Sequence, residues 1–508
     1  MNRLRRSAVN MFSGAAGYAL PMAVNLVVTP ILLSILGEAA YGLQSLVSVI
    51  VGYMTFMDMG LDLPIIKLLA EDRAKQDPRS ESELLNTTLQ VYTLVGIVGM
   101  GGIMLLAGWL STSVFRVPPK LLDEACLVFR LAGIGFLGSV GMSWGKALSM
   151  GLQRFDLSNS VSVIFSTVGT LSGLLFAYLG FGVVGYVASR VAFMVLAGPA
   201  YFFLSRQFLP NVKFHVGLDK RTLHRVKSYL GYGLINRTTS SLVSRLDQTL
   251  LGIWVGVAAA GVYAVPFLLV NSLIYMLSYT LGFVFPLASE LQATGQMDKL
   301  REIVIKASRF MTAISGLIFA PAAVLGGAFL KIWTPSIAVK ASVVLPLLAI
   351  AGYVSTVTTP ISNGVLIGLG NMRQFTIYAT VRAAALAVFC FIFIHSFGLV
   401  GAGIAVLLTG SVDIVYWLIV QIRYLKISPR LVFIESCTKP MLLTAGLAVL
   451  AFLARPLATS WFHIGTIGVV LFAFYVFGGL VIGVFGEVEK RAVKELFHAL
   501  IDRVRVSV

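Results

Sequence analysis

Charge is scarce in this chain of 508 residues: 12% are Asp, Glu, Lys or Arg, where soluble domains carry about 25%. Acidic side chains are the rarest, 22 against 39 basic ones. Cysteine is nearly absent. Cys126, Cys390 and Cys437 lie in or beside apolar runs, no Cys-x-x-Cys spacing occurs, and only five histidines are available to complete a metal site. Disulfides and structural zinc are therefore not expected. Also missing are a Walker loop, a His-Glu-x-x-His helix, a Ser-His-Asp grouping and a paired-carboxylate site, so an enzyme would have no visible catalytic kit. No cofactor and no metal are expected.

Apolar residues are abundant: 57% of the chain is hydrophobic and the mean hydropathy is +0.89, a membrane composition. Apolar runs between charged or Gly/Pro breaks predict helices near 14–36, 43–66, 86–110, 124–144, 157–178, 183–204, 230–254, 261–286, 306–330, 341–366, 374–394, 399–420, 433–453 and 464–484. The fold class is thus an all-α polytopic membrane protein of about fourteen spans. The first run is longer than a signal-peptide core and lacks a convincing cleavage site, so it is expected to stay as span 1.

The formal charge of +17 could suggest nucleic acid, but the basic residues sit mostly in short loops. With the amino terminus inside, the cytoplasmic loops and tails collect 28 Lys and Arg, and the outside loops hold only Arg116, Lys120, Lys331, Lys340 and Arg455. That asymmetry predicts both termini in the cytoplasm, an even number of spans and no nucleic-acid partner. Two cytoplasmic segments read as amphipathic. Lys213 to Lys227 sets Lys213, Lys220, Arg221, Arg225 and Lys227 around Leu218, Leu223 and Val226, and the tail after Glu487 repeats apolar residues at helical spacing among Lys490, Arg491, Lys494 and Arg503. The first reads as an interfacial linker between two halves, and the tail is expected to rest on anionic lipid headgroups.

The chain also resembles itself. Phe181-Gly182-Val183-Val184-Gly185 is matched by Phe397-Gly398-Leu399-Val400-Gly401, at an offset of 216 between Gly182 and Gly398. Gly151-Leu152 answers Gly368-Leu369 at 217, and Leu36-Gly37-Glu38-Ala39-Ala40 resembles Val255-Gly256-Val257-Ala258-Ala259 at 219. Six spans separate equivalent positions, so the halves share one orientation and are related by a pseudo-twofold axis along the membrane normal. The expected domains are an N-lobe at 1–206, an amphipathic linker at 207–229, a C-lobe at 230–424, two further spans at 425–486 and a cytoplasmic tail at 487–508.

Ionisable groups inside a span are expensive and should face a cavity or a partner. Span 7 places Asn236, Arg237, Ser240, Ser241, Ser244, Arg245, Asp247 and Gln248 at three- and four-residue intervals along one broad face. Span 1 carries Asn10, Gly14, Tyr18, Pro21, Asn25 and Thr29 on a comparable stripe. Both faces suit a water-filled lumen. Arg237 and Arg245, joined by Arg130, Arg190 and Arg382, would give it a positive lining, and guanidinium groups grip phosphate oxygens in pairs. Asn25, Asn236 and Ser241 complete the candidate substrate contacts. Two bland readings stand beside this one. Arg237 and Arg245 would pair inside the bundle with Asp247, and Arg130, Arg190 and Arg382 would snorkel to an interface. Asp58, Asp62 and Asp247 are candidate coupling-ion groups, against a reading in which Asp58 and Asp62 neutralise Lys67. Asp413 is a lone intramembrane acid, and Pro21, Pro266, Pro286, Pro321, Pro346 and Pro360 offer kinks.

The basic tail, the helix ending Pro30-Ile31-Leu32-Leu33-Ser34-Ile35-Leu36-Gly37, Tyr41-Gly42-Leu43 and Asp58-Met59-Gly60-Leu61 resemble the polysaccharide transporter, or Wzx-type flippase, family. That family belongs to the multidrug/oligosaccharidyl-lipid/polysaccharide (MOP) exporter superfamily. The resemblance implies a V-shaped pair of six-helix lobes. Their central cavity would open alternately to either side and flip an undecaprenyl-diphosphate-linked oligosaccharide outward across the bacterial inner membrane, for O-antigen, exopolysaccharide or capsule synthesis. Two helices beyond twelve also occur in lipid II flippase relatives, from which this chain departs by lacking arginines within span 1. Membrane lipids, a coupling proton or sodium ion and other polysaccharide-assembly membrane proteins are the implied partners. Two other functions compete: a cation-coupled multidrug antiporter, for which an acidic lumen is expected, and a membrane glycosyltransferase or polymerase, for which a large outside loop is expected.

Overall fold

The computed structural model describes residues 3–54, 62–210, 212, 217–227, 239 and 245–484, and all regular structure among them is helical. Among the described residues ten helical runs are long and apolar enough to cross a membrane. Helix is what a bilayer demands, because every backbone N–H and C=O must be satisfied without water.

Several runs are too long for one crossing. Arg3–Met54 has 52 residues, about 78 Å at 1.5 Å per residue, more than twice the ~30 Å hydrocarbon core. It breaks at Gly37 (φ 77°, ψ 173°). The run Phe155–Arg206 breaks at Gly180 and Gly182, and Met372–Tyr424 breaks at Gly398. Gly182 (φ 57°, ψ −148°) and Gly398 (φ 54°, ψ −124°) adopt nearly one backbone conformation, which a Cβ would forbid. The spans expected separately as 1 and 2, 5 and 6, and 11 and 12 therefore join through glycine kinks with no intervening loop.

The turns recur at the same offsets as the sequence matches. After Gly151, Leu152 N bonds to Leu148 O at 3.0 Å, Gln153 N to Met150 O at 2.9 Å and Arg154 N to Ser149 O at 2.9 Å. After Gly368, Leu369 N, Gly370 N and Asn371 N bond to Val365 O, Ile367 O and Leu366 O at 2.8, 3.1 and 2.9 Å. Gly151 and Gly368 are the glycines matched in the sequence, and the closure after them is the same. Gln76 and Gly295 mark a second such pair, at the offset that relates Gly37 to Gly256. Lys75, Gln76 and Asp77 close on Glu71, Arg73 and Asp72 as Thr294, Gly295 and Gln296 close on Glu290, Gln292 and Leu291. In both pairs the residue after the helix is left-handed, and only one member of each is glycine: Gln76 (φ 55°) answers Gly295 (φ 70°), and Gln153 (φ 58°) answers Gly370 (φ 72°).

Two compact units make up the chain. The first comprises Met1–Leu269 with Thr376–Val406. Its core holds Trp144, Tyr92, Phe129, Phe136 and Tyr201, all fully buried, with the Trp144 indole donating to Thr88 Oγ1 at 3.2 Å and the Tyr201 hydroxyl to Ser158 O at 2.6 Å. The helix Pro78–Trp109 starts on a polar cap: Asp77 accepts from Ser80 N at 3.1 Å and Pro78 fills the first turn. The second unit comprises Val270–Phe375 with Leu407–Val508. Here Lys439–Ala454 and Trp461–Ile482 pack Leu443, Leu447, Leu471 and Tyr475 against Met297–Trp333, and the Tyr475 hydroxyl donates to Ala313 O at 2.7 Å.

Candidate functional site

Apart from Thr239, span 7 is described from Arg245 onward, where helix runs over 245–254 in the first unit. The turn from Arg245 to Thr249 holds a cluster of hydrogen-bonded polar side chains. Asp247, only 2% exposed, accepts a short hydrogen bond from the Tyr263 hydroxyl, and its Oδ1 accepts from Gln248 N at 2.8 Å. Gln248 Nε2 donates to Ser45 Oγ at 3.0 Å, and Ser45 donates in turn to Gly42 O at 2.7 Å. Thr249 shares a 2.6 Å hydrogen bond with the Tyr53 hydroxyl and donates to Arg245 O at 2.8 Å.

Arg245 is half-buried, its guanidinium carbon 5.6 Å from the centre of the Phe267 ring. Among the described residues no carboxylate lies within ion-pair distance of it. Arg245 has an aromatic face beside its cation, and Asp247 a phenol beside its carboxylate. The hydrogen bonds given for the Asp247 carboxylate come from neutral donors, the Tyr263 hydroxyl and the Gln248 backbone N–H.

Arg190 lies half-buried on Gly182–Arg206, donating to Gln44 Oε1 at 3.5 Å with its guanidinium carbon 5.6 Å from the Tyr186 ring centre. Gln44 and Ser45 are sequence neighbours, so one turn of helix holds Arg190 on one side and Gln248 on the other. Arg130 is exposed on Leu122–Gly151, and Arg382 is half-buried on Met372–Ile419. Asn25 is half-buried and turned back on its own helix, Nδ2 donating to Pro21 O at 2.8 Å. Asp62 is half-buried at the start of Asp62–Ala74, and Lys67 pairs with Glu71 at 3.8 Å. Arg237, Asn236, Ser241 and Asp58 lie outside the described residues. Asp413 is 1% exposed in the second unit, where the Tyr416 hydroxyl, three residues on, donates to Asn363 Oδ1 at 3.0 Å.

Sequence reasoning missed Tyr53 and Tyr263; the available signal was a tyrosine interrupting an aliphatic run. It also missed the anchoring of the linker. Arg225, on the short helix Lys220–Lys227, donates to Asp72 Oδ1 at 2.7 Å, to Asp72 Oδ2 at 3.3 Å and to Ser80 Oγ at 2.8 Å. Gln90 and the Gly217 backbone exchange two further bonds, at 3.2 and 3.1 Å.

The chain superposes on three solved transporters. One is an inward-facing multidrug resistance MATE family transporter of the MOP superfamily (TM-score 0.66, 16% identity, 81% of this chain and 99% of that one). Another is the lipid II flippase MurJ in an inward closed conformation (0.67, 10%, 96% and 99%). The third is a MOP superfamily transporter from Pyrococcus furiosus whose binding pocket is described as reversed in polarity (0.58, 16%, 82% and 96%). At such identities the likeness carries the fold, which is that of multi-pass membrane transporters of the MOP type.

The chain belongs to the polysaccharide biosynthesis protein family, which matches residues 31–336, as its opening motifs led us to expect. Membership sets it among transport proteins rather than enzymes. The uncharacterized membrane protein EpsK of Bacillus subtilis is 24% identical over 356 residues, 68% of each chain. The probable flippase AglR of Haloferax volcanii is 22% identical over 395 residues, 76% of this chain and 77% of that one. The teichuronic acid biosynthesis protein TuaB of Bacillus subtilis is 22% identical over 395 residues, 72% and 74% respectively.

Proposed function

We propose that this protein is a flippase that carries an undecaprenyl-diphosphate-linked oligosaccharide across the bacterial inner membrane by alternating access. The observation that carries the reading is the turn of span 7 from Arg245 to Thr249. Arg245, Asp247, Gln248 and Thr249 bring charge and hydrogen-bonding capacity into a membrane helix bundle, beside Arg190. Family membership and the probable-flippase name of AglR point the same way. Arg237 and Arg245 grip the diphosphate, with Asn236, Ser241, Asn25, Arg130, Arg190 and Arg382 as further contacts along the path. The prenyl tail stays in lipid.

The architecture in this reading has fourteen spans with both termini in the cytoplasm. Ten candidate spans, three of them broken at glycine into two, together with span 7 give that number. The turns and kinks that recur at matching places along the chain support two halves of six helices, 1–206 and 230–424, joined by a linker at 207–229 and followed by two accessory helices. Asp247 is the coupling group, taking a proton or sodium ion while Tyr263 holds its second oxygen.

The test is transport of labelled lipid-linked glycan in proteoliposomes. Arg237→Ala with Arg245→Ala is expected to cut the rate at least tenfold, as loss of a charge-assisted phosphate contact of about 1.5–3 kcal/mol requires. Undiminished transport by the double variant would overturn the diphosphate role. A cation-coupled drug antiporter is the second reading, favoured by the MATE-like fold. It requires the protein to confer drug resistance on an efflux-deficient host.

A further inference from the structure

Gly42 and Gly261 meet backbone to backbone inside the first unit. A methyl group at Gly261 would lie 2.5 Å from Glu38 O and 2.8 Å from Gly42 Cα. One at Gly42 would run into Val257 O and lie 3.1 Å from Gly261 N. The contact is reciprocal in a particular sense. Gly42 and Gly261 are repeat equivalents, separated by the same offset as Glu38 and Val257. Each glycine therefore faces the carbonyl of the residue equivalent to the one its own partner faces. Mutual contact between equivalent positions is what an isologous interface across a twofold axis produces. Just upstream in each half a glycine takes a positive φ, Gly37 at 77° and Gly256 at 120°, and these two are equivalents as well.

Polar bonds flank this contact on one side: Gln248 to Ser45, Ser45 to Gly42 O, and Thr249 with Tyr53. At the other end of the same two stretches the partners differ. Leu69 and Ile66 pack on Gly151, 2.9 and 3.4 Å from a methyl group placed there. Ala288 and Phe285 pack on Gly368 at 2.5 and 2.9 Å, and these contacts lie within the second unit. Span 2 and its repeat equivalent, span 8, thus touch one another at their outer ends, while each inner end packs against the helix before the next cytoplasmic turn of its own half.

We infer that the Gly42–Gly261 contact lies on the pseudo-twofold axis and is the outer gate of the pathway, a seam that must part before cargo can leave outward. The inference rests on the alternating-access reading above. Glycine at both positions lets two backbones meet without interlocked side chains. Such a seam reseals when a few hydrogen bonds re-form, and nothing has to repack. Anything larger than hydrogen at either glycine wedges it.

The experiment uses the full chain with Cys126, Cys390 and Cys437 replaced by alanine. Ser45→Cys is the reporter, since Ser45 is 6% exposed beside the seam. Membrane-impermeant maleimide is added from outside to right-side-out vesicles. Gly42→Ala, Gly42→Leu and Gly261→Leu are each expected to raise the labelling rate at least tenfold over the glycine parent. A second arm joins Glu38→Cys to Val257→Cys with a reducible bifunctional thiosulfonate, which is expected to stop lipid-linked glycan transport until reductant is added. Labelling that ignores all three wedges, or cross-linked protein that transports at the free rate, would overturn the gate. Wedge-dependent labelling in a protein that moves no lipid-linked glycan in any form would keep the gate and remove the flippase reading instead.

Discussion

Asp72 and Arg225, far apart in sequence, hold each other through a two-pronged ion pair that ties the linker helix Lys220–Lys227 to the turn before Pro78. Asp72 is almost fully buried, its side chain 3% exposed, while that of Arg225 is 34% exposed. Ser80 completes the triangle, donating to Asp72 Oδ2 at 2.8 Å. The docked face of the short helix is Thr222, Arg225 and Val226, spaced three and four residues apart. Lys220, Arg221, Leu223 and His224 face outward.

Arg225→Ala leaves a buried carboxylate without its cation, and the expected loss is about 1–3 kcal/mol of docking free energy. The size is moderated by the partial exposure of the guanidinium. Hydrogen exchange across 217–226 should quicken by one to two orders of magnitude while the cores of the long helices stay protected. Arg225→Lys should fall between, because an ammonium cannot reach both carboxylate oxygens and Ser80 in the same geometry. Unchanged exchange in Arg225→Ala would show that the Gln90–Gly217 and Asp219–Thr87 bonds suffice to hold the linker.

The same helix carries a pH prediction. Asp219 accepts from Thr222 N at 2.7 Å, and that bond holds its carboxyl below the usual range. The folded value is depressed, so its stabilisation is complete above the unfolded value of about 3.9. It is lost as pH falls through the lowered folded value. Amide exchange at 220–226, corrected for intrinsic rates, should stay flat from neutral pH to about 5 and rise only below the ordinary carboxylate range. Asp219→Asn, which can still cap the helix, should remove that rise.

The glycine breaks were readable in advance because Phe-Gly and Leu-Gly motifs punctuate otherwise unbroken apolar runs. The cytoplasmic helix starts were not. Hydropathy places spans 3 and 9 at 86 and 306, but their helices begin at Pro78 and Met297, since the added turns are polar and stabilised by capping and ion pairs that a hydropathy window ignores. Span 8, expected over 261–286, divides instead into Val257–Tyr279 and Val284–Ala293 around the turn at Thr280 to Phe283. At the site, helical spacing located Arg245 and Asp247 but not the aromatic groups that contact them. Which of two neighbours takes a buried charge depends on contacts from other spans, and Phe267 and Tyr263 belong to the span after theirs.

Asp247 and Tyr263 offer a prediction about coupling. Asp247→Asn keeps the shape and a hydrogen-bonding group while removing the negative charge. In proteoliposomes it should abolish the dependence of transport on an imposed proton or sodium gradient. Tyr263→Phe should leave that dependence in place and shift its midpoint, because the carboxylate loses a neutral donor but stays ionisable. If Asp247→Asn responds to both gradients as the parent does, coupling resides elsewhere.

Gly182 and Gly398 make the repeat measurable as stability. Both occupy a backbone region that residues with a Cβ avoid, φ 57°, ψ −148° and φ 54°, ψ −124°. No neighbouring atom lies within 4 Å of a methyl group at Gly182, and at Gly398 the nearest is a Val255 methyl at 3.8 Å. Substitution there is therefore opposed by conformation rather than by crowding. Gly182→Ala and Gly398→Ala should each cost about 1–3 kcal/mol, read as matching drops in thermal melting in detergent. Gly102, helical and equally uncrowded, is the control: Gly102→Ala should be neutral or stabilising by up to about 1 kcal/mol. Equal melting shifts at 182 and 398 with none at 102 would mark the two kinks as one strained turn used twice. A drop at one position alone would mean that the likeness of their dihedral angles has no energetic counterpart.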